Sequence, residues 1–344
     1  MKASLLPFTL PLVSPLETAA GTVAERSGWI FRIEDDCVGF GEATPLPGFT
    51  ETHEETETAL RRALEAVEDD DWPAAFTAVA GRPAARNAVA TAALDVRARR
   101  ADRPLAGELG GSTPTDPIPV NATIGDAPVS ETASAAASAV TEGFGTVKVK
   151  VGARPLPEDR DRIRAVRDRL PGDVDLRLDA NGAWDRRTAA TAIDEFRSLD
   201  VEYLEQPLQA TDLEGHRNLR GSVPIALDES LGRRSWRAVL DAKAADVLVL
   251  KPMALGGPEV TRAVARFAER RGHAAVVSNT IDGVVARTAA AHVAGSLGEP
   301  AAAGLATGSM LERDLAPDAA PVESGAVRLA DAPGLGIDEV IVDA

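Results

Sequence analysis

Residues 146–151 read Thr-Val-Lys-Val-Lys-Val. In an extended strand, side chains two positions apart point to the same face, so Lys148 and Lys150 would share one face and the valines the other. Lysine is almost never fully buried without a partner. It occurs at only five positions in this chain, whereas every other basic residue is an arginine, which keeps its proton in proteins. The pattern therefore predicts a buried strand that delivers two amines to an interior site.

Similar short apolar runs recur from about residue 116 onward and alternate with stretches of helical spacing, such as Ile163, Val166 and Leu170. The eight predicted strands are Ile118–Ile124, Thr146–Val151, Asp175–Asp179, Val201–Glu205, Val223–Asp228, Asp246–Lys251, Ala274–Ser278 and Ala301–Thr307. Eight strands that alternate with helices indicate an α/β fold, a (β/α)8-type barrel over residues 106–310. A doubly wound open sheet is the alternative fold.

The first part of the chain, residues 1–105, has a different pattern. Two strands are predicted at Thr22–Ile33 and Val38–Ala43, Thr52 and Glu55 can form a capping box at the start of a helix, and Ala84–Arg100 is a second helical stretch. These elements predict an N-terminal α+β capping domain. Residues 311–344 are expected to form a C-terminal tail that packs back on it.

Composition limits the classes of partner. The 344 residues carry 37 basic and 53 acidic side chains, a net charge of −16. This charge argues against nucleic acid or an anionic membrane as a partner. No apolar run reaches the roughly 18 residues that a membrane helix needs. The single cysteine, Cys37, excludes an internal disulfide and favours a cytoplasmic location. The expected partner is a small molecule.

Ionisable residues follow five of the predicted strands in order. Strand alternation puts Arg177, Asp179 and Asn181 on one face, and it directs the following acids and the last lysine to the same interior. The five residues at the strand ends are Lys150, Asp179, Glu205, Asp228 and Lys251, at intervals of 23 to 29 residues. Catalytic groups of such barrels gather at the carboxyl ends of the strands. Alternation directs Glu229 to the other side, so it is not expected to be a ligand.

Three carboxylates that converge without histidine or cysteine favour a hard divalent ion, Mg²⁺ before Mn²⁺. Such an ion can hold a substrate carboxylate and ease proton loss at the adjacent carbon. A lysine that takes this proton must lower its pKa from about 10.4 toward about 7. Lys148 supplies a second ammonium beside Lys150, and a neighbouring positive charge is expected to lower the pKa of a lysine. A structural salt bridge would explain any single pair of these charged residues. It would not explain five of them at corresponding positions of successive strands.

Several motifs resemble those of the enolase superfamily in its muconate-lactonizing branch. They are Lys-x-Lys at 148–150, Leu-Asp-Ala-Asn-Gly at 178–182, Tyr-Leu-Glu-Gln-Pro at 203–207, Ala-Leu-Asp-Glu-Ser at 226–230 and Leu-Lys-Pro at 250–252. Within that branch, Gly-Glu-Ala-Thr-Pro-Leu-Pro-Gly-Phe at 41–49, followed by Glu51-Thr52, resembles the o-succinylbenzoate synthases of menaquinone biosynthesis. The resemblance covers essentially the whole chain.

The resemblance implies roles for individual residues. Asp179, Glu205 and Asp228 would be Mg²⁺ ligands. Lys150 would remove the α-proton and then assist hydroxide departure, and Lys251 would stabilise the enolate from the opposite face. The implied substrate is the carboxylate 2-succinyl-6-hydroxy-2,4-cyclohexadiene-1-carboxylate. Asn181 and Ser278 are candidate substrate-binding residues, although residues 279–283 differ from the commoner serine- and glutamate-containing form.

Three other functions stay open from the sequence. The same two lysines and metal site could racemise an N-acylamino acid or epimerise a dipeptide. One lysine could instead form a Schiff base, as in an aldolase. A metal-stabilised binding barrel without catalytic activity is the remaining alternative.

Overall fold

The computed structural model describes residues 1–18, 21–111 and 117–342. Its strands are β1 (Lys2–Thr18), β2 (Gly21–Glu34), β3 (Val38–Ala43), β4 (Ile118–Pro119), β5 (Ala122–Ile124), β6 (Thr146–Lys150), β7 (Asp175–Asp179), β8 (Val201–Glu205), β9 (Ile225–Leu227), β10 (Val247–Leu250), β11 (Ala274–Val277), β12 (Val322–Glu323) and β13 (Ala326–Val327).

Helices connect most of these strands. They are α1 (His53–Glu68), α2 (Trp72–Ala78), α3 (Pro83–Arg100), α4 (Leu105–Glu108), α5 (Val129–Thr141), α6 (Leu156–Arg167), α7 (Arg186–Phe196), α8 (Leu213–Leu219), α9 (Glu229–Arg233), α10 (Trp236–Asp241), α11 (Pro252–Leu255), α12 (Pro258–Glu269) and α13 (Val284–Gly295). In the residues that the structure describes, no helix is both long and apolar enough to cross a membrane.

The N-terminal domain is an antiparallel sheet, in the order β1-β2-β3, covered by helices. The predicted capping box starts α1, because the Thr52 hydroxyl accepts from the Glu55 amide and the Glu55 carboxylate accepts from the Thr52 amide. Helix α3 lies very close to β3, since a Cβ at Gly41 would be 1.9 Å from the Ala88 carbonyl oxygen. Small residues on both elements therefore bring the sheet and the alanine-rich helix together.

Strand β1 was not predicted from the sequence. It pairs along most of its length with β2, and Pro7 and Pro11 lie opposite Trp29 and Glu25. Proline cannot donate a backbone hydrogen bond, so prolines in a run argue against a central strand. β1 is an edge strand of this sheet, where one side of the backbone needs no partner, and it therefore tolerates both prolines.

The second part of the chain is a barrel of parallel strands. Seven strands pair in the order β11-β10-β9-β8-β7-β6-β5. Val147 and Val149 are fully buried in the core between the strands and the surrounding helices, as alternation predicts. A doubly wound sheet reverses its strand order at a switch point. The strands here follow one another in sequence, so the barrel prediction is confirmed and the open-sheet alternative is wrong.

The barrel closes without a regular eighth strand. Ala303 forms a parallel bridge with Val120, and Gly304 forms one with Ser278. The prediction of a continuous strand over 301–307 is therefore wrong. Residues 301–306 read Ala-Ala-Ala-Gly-Leu-Ala and lack the β-branched side chains that favour extended strands.

The first predicted barrel strand is divided between two sheets. Only β5 pairs with β6, whereas β4 pairs antiparallel with β13 of the C-terminal hairpin. Further along the tail, Leu335 and Ile337 share a buried cluster with Phe8 and Leu10 of β1. The described part of the tail thus contacts both the barrel and the N-terminal sheet.

Candidate active site

The strand ends bring the predicted ionisable residues to one mouth of the barrel. Lys150 ends β6, Asp179 ends β7 and Glu205 ends β8, and these three residues are directly paired in the strand register. Asp228 follows β9 and Lys251 follows β10. The three acids are all buried. Strand alternation predicts the common direction of Lys150, Asp179 and Glu205, which lie within regular strands.

Lys148 and Lys150 meet the acids on one side of the mouth. Lys150 Nζ lies 2.7 Å from Asp179 Oδ2, and Lys148 Nζ lies 3.3 Å from the same oxygen. Lys148 Nζ also lies 3.2 Å from Glu205 Oε2. Two ammonium groups thus share one carboxylate, as the spacing of the two lysines predicts.

Lys251 is enclosed from two sides. Its Nζ lies 2.6 Å from Asp228 Oδ2 and 4.2 Å from the centre of the Phe49 ring. Phe49 belongs to the N-terminal domain, and its backbone rests on Gly232, where a Cβ would be 2.9 Å from the Gly48 carbonyl oxygen. A cation over an aromatic face is attracted by the ring quadrupole. The N-terminal domain therefore supplies part of the environment of this amine.

Burial and neighbouring charges shift the pKa values at the mouth. Burial, together with the Asp179 carboxylate, raises the pKa of Glu205 to about 7, although Lys148 opposes the shift. Burial would also raise the pKa of Asp179, but the Lys150 and Lys148 ammonium groups dominate and lower it. Burial disfavours the charged form of Lys148, yet the Glu205 and Asp179 carboxylates raise its pKa well above the ordinary value.

The residue chemistry fits a divalent cation, although the carboxylates are paired with amines. Among the described residues, no group of three acidic, histidine or cysteine side chains forms a ready-made metal cluster. The mouth nevertheless holds the buried acids Asp179, Glu205 and Asp228 and the neighbouring Glu229, whose Oε2 is buried without a hydrogen-bond partner. These are oxygen donors only, and they outnumber the three lysines. Such a donor set suits Mg²⁺.

The two predicted substrate-binding residues lie at different places on the rim. Asn181 is exposed at the mouth, where its Oδ1 accepts from Lys150 Nζ at 2.7 Å. Ser278 is buried where the barrel closes, and its hydroxyl donates to the Gly304 carbonyl at 3.2 Å. Asn181 is thus part of the lysine cluster, whereas Ser278 binds the closing segment.

The prediction that Glu229 points away from the site is wrong. Asn181 Nδ2 donates to Glu229 Oε1 at 2.9 Å. Strand β9 ends at Leu227 and helix α9 begins at Glu229, so the alternation of a strand no longer applies at this residue. Burial and the Asp228 and Asp179 carboxylates raise the pKa of Glu229 to about 7.

Gln206 is a site residue to which sequence reasoning gave no role. Its Oε1 accepts from the backbone amides of Asp228 and Ser230, at 3.2 and 3.1 Å. Its own backbone follows Glu205, so one side chain joins the ends of two strands that carry acids. A buried amide with both donors and acceptors satisfied is a strong local constraint. In the sequence, only the position of Gln206 next to Glu205 could have indicated that it has a role at the site.

Family comparisons agree with the fold and with the motifs. Residues 131–339 match the family described as enolase C-terminal domain-like, and residues 1–88 match the MenC N-terminal domain. The first match spans more than half of the chain. The chain belongs to the enolase superfamily. This membership identifies it as an enzyme, and the resemblance seen in the sequence motifs is confirmed.

Individual relatives in the enolase superfamily differ in the reaction that they catalyse. An o-succinylbenzoate synthase of Thermobifida fusca is 42% identical over 218 residues, which cover 62% of this chain and 67% of the relative. An L-Ala-D/L-Glu epimerase of Bacillus subtilis is 31% identical over 346 residues, 96% of this chain and 94% of that protein. A dipeptide epimerase of Enterococcus faecalis, solved with Mg and a dipeptide, has a TM-score of 0.87 at 26% identity and covers 98% of this chain and 99% of its own.

Proposed function

We propose that this enzyme is a Mg²⁺-dependent o-succinylbenzoate synthase. It would dehydrate 2-succinyl-6-hydroxy-2,4-cyclohexadiene-1-carboxylate to o-succinylbenzoate, in menaquinone biosynthesis. The observation that carries the proposal is the set of lysines and buried acids at one barrel mouth, on a chain whose residues 1–88 match the MenC N-terminal domain. The 42% identity to the Thermobifida fusca synthase supports the same reaction.

Asp179, Glu205 and Asp228 would hold the magnesium ion, because they offer buried carboxylate oxygens from three neighbouring strands. When bound, the ion would offset the negative charge that develops on the substrate carboxylate as the α-proton leaves. Mn²⁺ has similar ligand preferences and would substitute for Mg²⁺. The magnesium in the related dipeptide epimerase supports this assignment.

Lys150 would act first as a base and then as an acid. Its neutral amine takes the α-proton and leaves an enolate. The resulting ammonium returns a proton to the departing hydroxide, so the products are o-succinylbenzoate and water. Lys148 carries a pKa raised well above the ordinary value by Glu205 and Asp179, so it stays charged.

Lys251 would contribute positive charge from the other side of the substrate. The Asp228 carboxylate overcomes the opposing effect of burial and raises the pKa of Lys251. The Phe49 ring also favours the charged form. A charged amine can stabilise an enolate but cannot remove a proton. Charge stabilisation by Lys251 is the contribution that dehydration, which needs one base, requires of this residue.

Epimerisation of a dipeptide or racemisation of an N-acylamino acid is the second candidate. Its support is the 31% identity to the Bacillus subtilis epimerase over nearly the whole chain. Both candidate reactions pass through an enolate. They differ in the substrate and in the next step: dehydration expels hydroxide, whereas epimerisation returns a proton to the opposite face of the α-carbon.

One set of assays separates the two candidates. We expect absorbance-monitored formation of o-succinylbenzoate with Mg²⁺ and its loss in EDTA. Dipeptides and N-acylamino acids should be turned over with a much lower kcat/KM. Efficient epimerisation without dehydration would contradict the synthase assignment, and full dehydration in EDTA would contradict the metal.

A further inference from the structure

A hydrogen-bonded chain joins Glu229 to Lys150 across the barrel mouth. Glu229 Oε1 accepts from Asn181 Nδ2 at 2.9 Å, and Asn181 Oδ1 accepts from Lys150 Nζ at 2.7 Å. A carboxylate oxygen only accepts, whereas an ammonium only donates. Asn181 satisfies both neighbours in one of its two amide orientations, with nitrogen toward Glu229 and oxygen toward Lys150.

The backbone of Asn181 is fixed independently of that side chain. Its φ is +45°, in the left-handed region that asparagine tolerates better than most residues. Its backbone N–H donates to Asp179 Oδ1 at 3.1 Å. With the backbone held, the side-chain amide of Asn181 can still rotate, and its hydrogen bond to Glu229 restricts that rotation.

The environment of Glu229 argues against a role in stability alone. Its second oxygen, Oε2, is buried and has no hydrogen-bond partner. An unsatisfied buried acceptor costs free energy and calls for an explanation in a native protein. Leucine or glutamine at this position would avoid a buried carboxylate next to Asp228.

We propose that Glu229 is a positioning residue that acts on Lys150 through Asn181. By fixing the amide of Asn181, it sets the direction of one of the Lys150 hydrogen bonds, while Asp179 sets another at 2.7 Å. The amine is then held in one orientation toward the α-carbon, and misplacement of a reacting group by a small distance lowers the rate strongly. This inference rests on the proposed base role of Lys150.

The test compares Glu229→Leu, which removes the acceptor, with Glu229→Gln, whose amide oxygen can still accept from Asn181. Asn181→Leu and the double variant complete a cycle, and Glu142→Leu, at an exposed glutamate, is the matched control. We expect Glu229→Leu to lower kcat about tenfold or more. KM and the Kd for Mg²⁺ should change little, Glu229→Gln should recover most of the loss, and the double variant should be no slower than Asn181→Leu.

Each other outcome overturns the inference in a recognisable way. Weaker Mg²⁺ binding by Glu229→Leu would make Glu229 a metal ligand. An equal loss in Glu229→Gln would assign the effect to charge, and additive losses would make it independent of Asn181. If the wild type does not dehydrate the substrate, the proposed function fails instead. A crystal structure of Glu229→Leu then tests the inference, which requires the Lys150–Asn181 contact to lengthen beyond about 3.5 Å; an unchanged contact refutes it.

Discussion

Lys150 and Lys251 lie at opposite positions of the barrel. Lys150 ends β6 and Lys251 follows β10. Around the barrel, these two strands are separated on one side by β7, β8 and β9, and on the other by β5, the bridging segment Ala303–Gly304 and β11. A substrate held at the centre of the mouth would therefore meet one amine on each face.

Replacing either lysine by alanine should abolish turnover without unfolding the protein. Lys150→Ala and Lys251→Ala each remove one amine from a rim that the strands hold in place, so kcat should fall by at least about 100-fold. Steady-state kinetics measure the loss, and circular dichroism checks the fold. Lys2→Ala, at an exposed position of β1, is the control. Turnover retained in either site variant would refute the role given to that lysine.

Lys251→Arg should fail nearly as badly as the alanine variant, although it keeps the positive charge. The ammonium fits between Asp228 at 2.6 Å and the Phe49 ring at 4.2 Å. A planar guanidinium differs in shape and hydration and does not substitute for a compact ammonium. Steady-state kinetics compare the kcat of Lys251→Arg with that of the wild type, and Lys2→Arg is the control. Near-normal turnover would mean that charge alone is required.

Asp179→Asn should weaken magnesium binding more than substrate binding. The amide keeps the size of the carboxylate but loses its charge, so the Kd for Mg²⁺ should rise at least about tenfold. Isothermal titration calorimetry measures Mg²⁺ binding, and a separate titration of the metal-free protein measures substrate binding. Glu142→Gln is the control. Unchanged Mg²⁺ affinity would remove Asp179 from the ligand set.

Stability should depend on pH through Glu42, at the contact of the N-terminal domain with the barrel. Its carboxylate accepts from the Gly283 and Ala286 amides at the start of α13. Burial, with the Asp282 carboxylate, raises the pKa of Glu42 to about 7. Between the ordinary pKa and this value the folded state binds more protons than the unfolded state, so stability falls as pH rises.

Urea unfolding across this pH range measures the effect. From pH about 5 to about 8, the free energy of unfolding of the wild type should fall by up to about 3 kcal/mol more than that of Glu42→Gln, which cannot titrate. Equal pH slopes for the two proteins would contradict the shifted pKa.

The sequence was most informative where a strand is regular. Alternation within residues 146–151 and 175–179 was enough to direct Lys148, Lys150 and Asp179 to one interior, because the side chains of a regular strand change face at every residue. The same rule failed at Glu229, two residues after β9 ends. Local propensity gave no indication of β1, whose prolines are tolerated only because it is an edge strand.

The remaining features depend on contacts between residues far apart in the chain. The barrel closes at Ala303 and Gly304 through hydrogen bonds to residues on both sides, which no local pattern indicates. Phe49 covers Lys251 because the N-terminal domain packs on Gly232, and Gln206 joins two strand ends through its side chain. Packing and tertiary hydrogen bonds decide such features, so they required the structure.

A crystal structure of the protein with Mg²⁺ and o-succinylbenzoate tests the central claim most directly. We predict one ion bound by oxygens of Asp179, Glu205 and Asp228, with the product between the Nζ atoms of Lys150 and Lys251, one on each face. An ion bound elsewhere, or both amines on the same side of the product, would contradict the account.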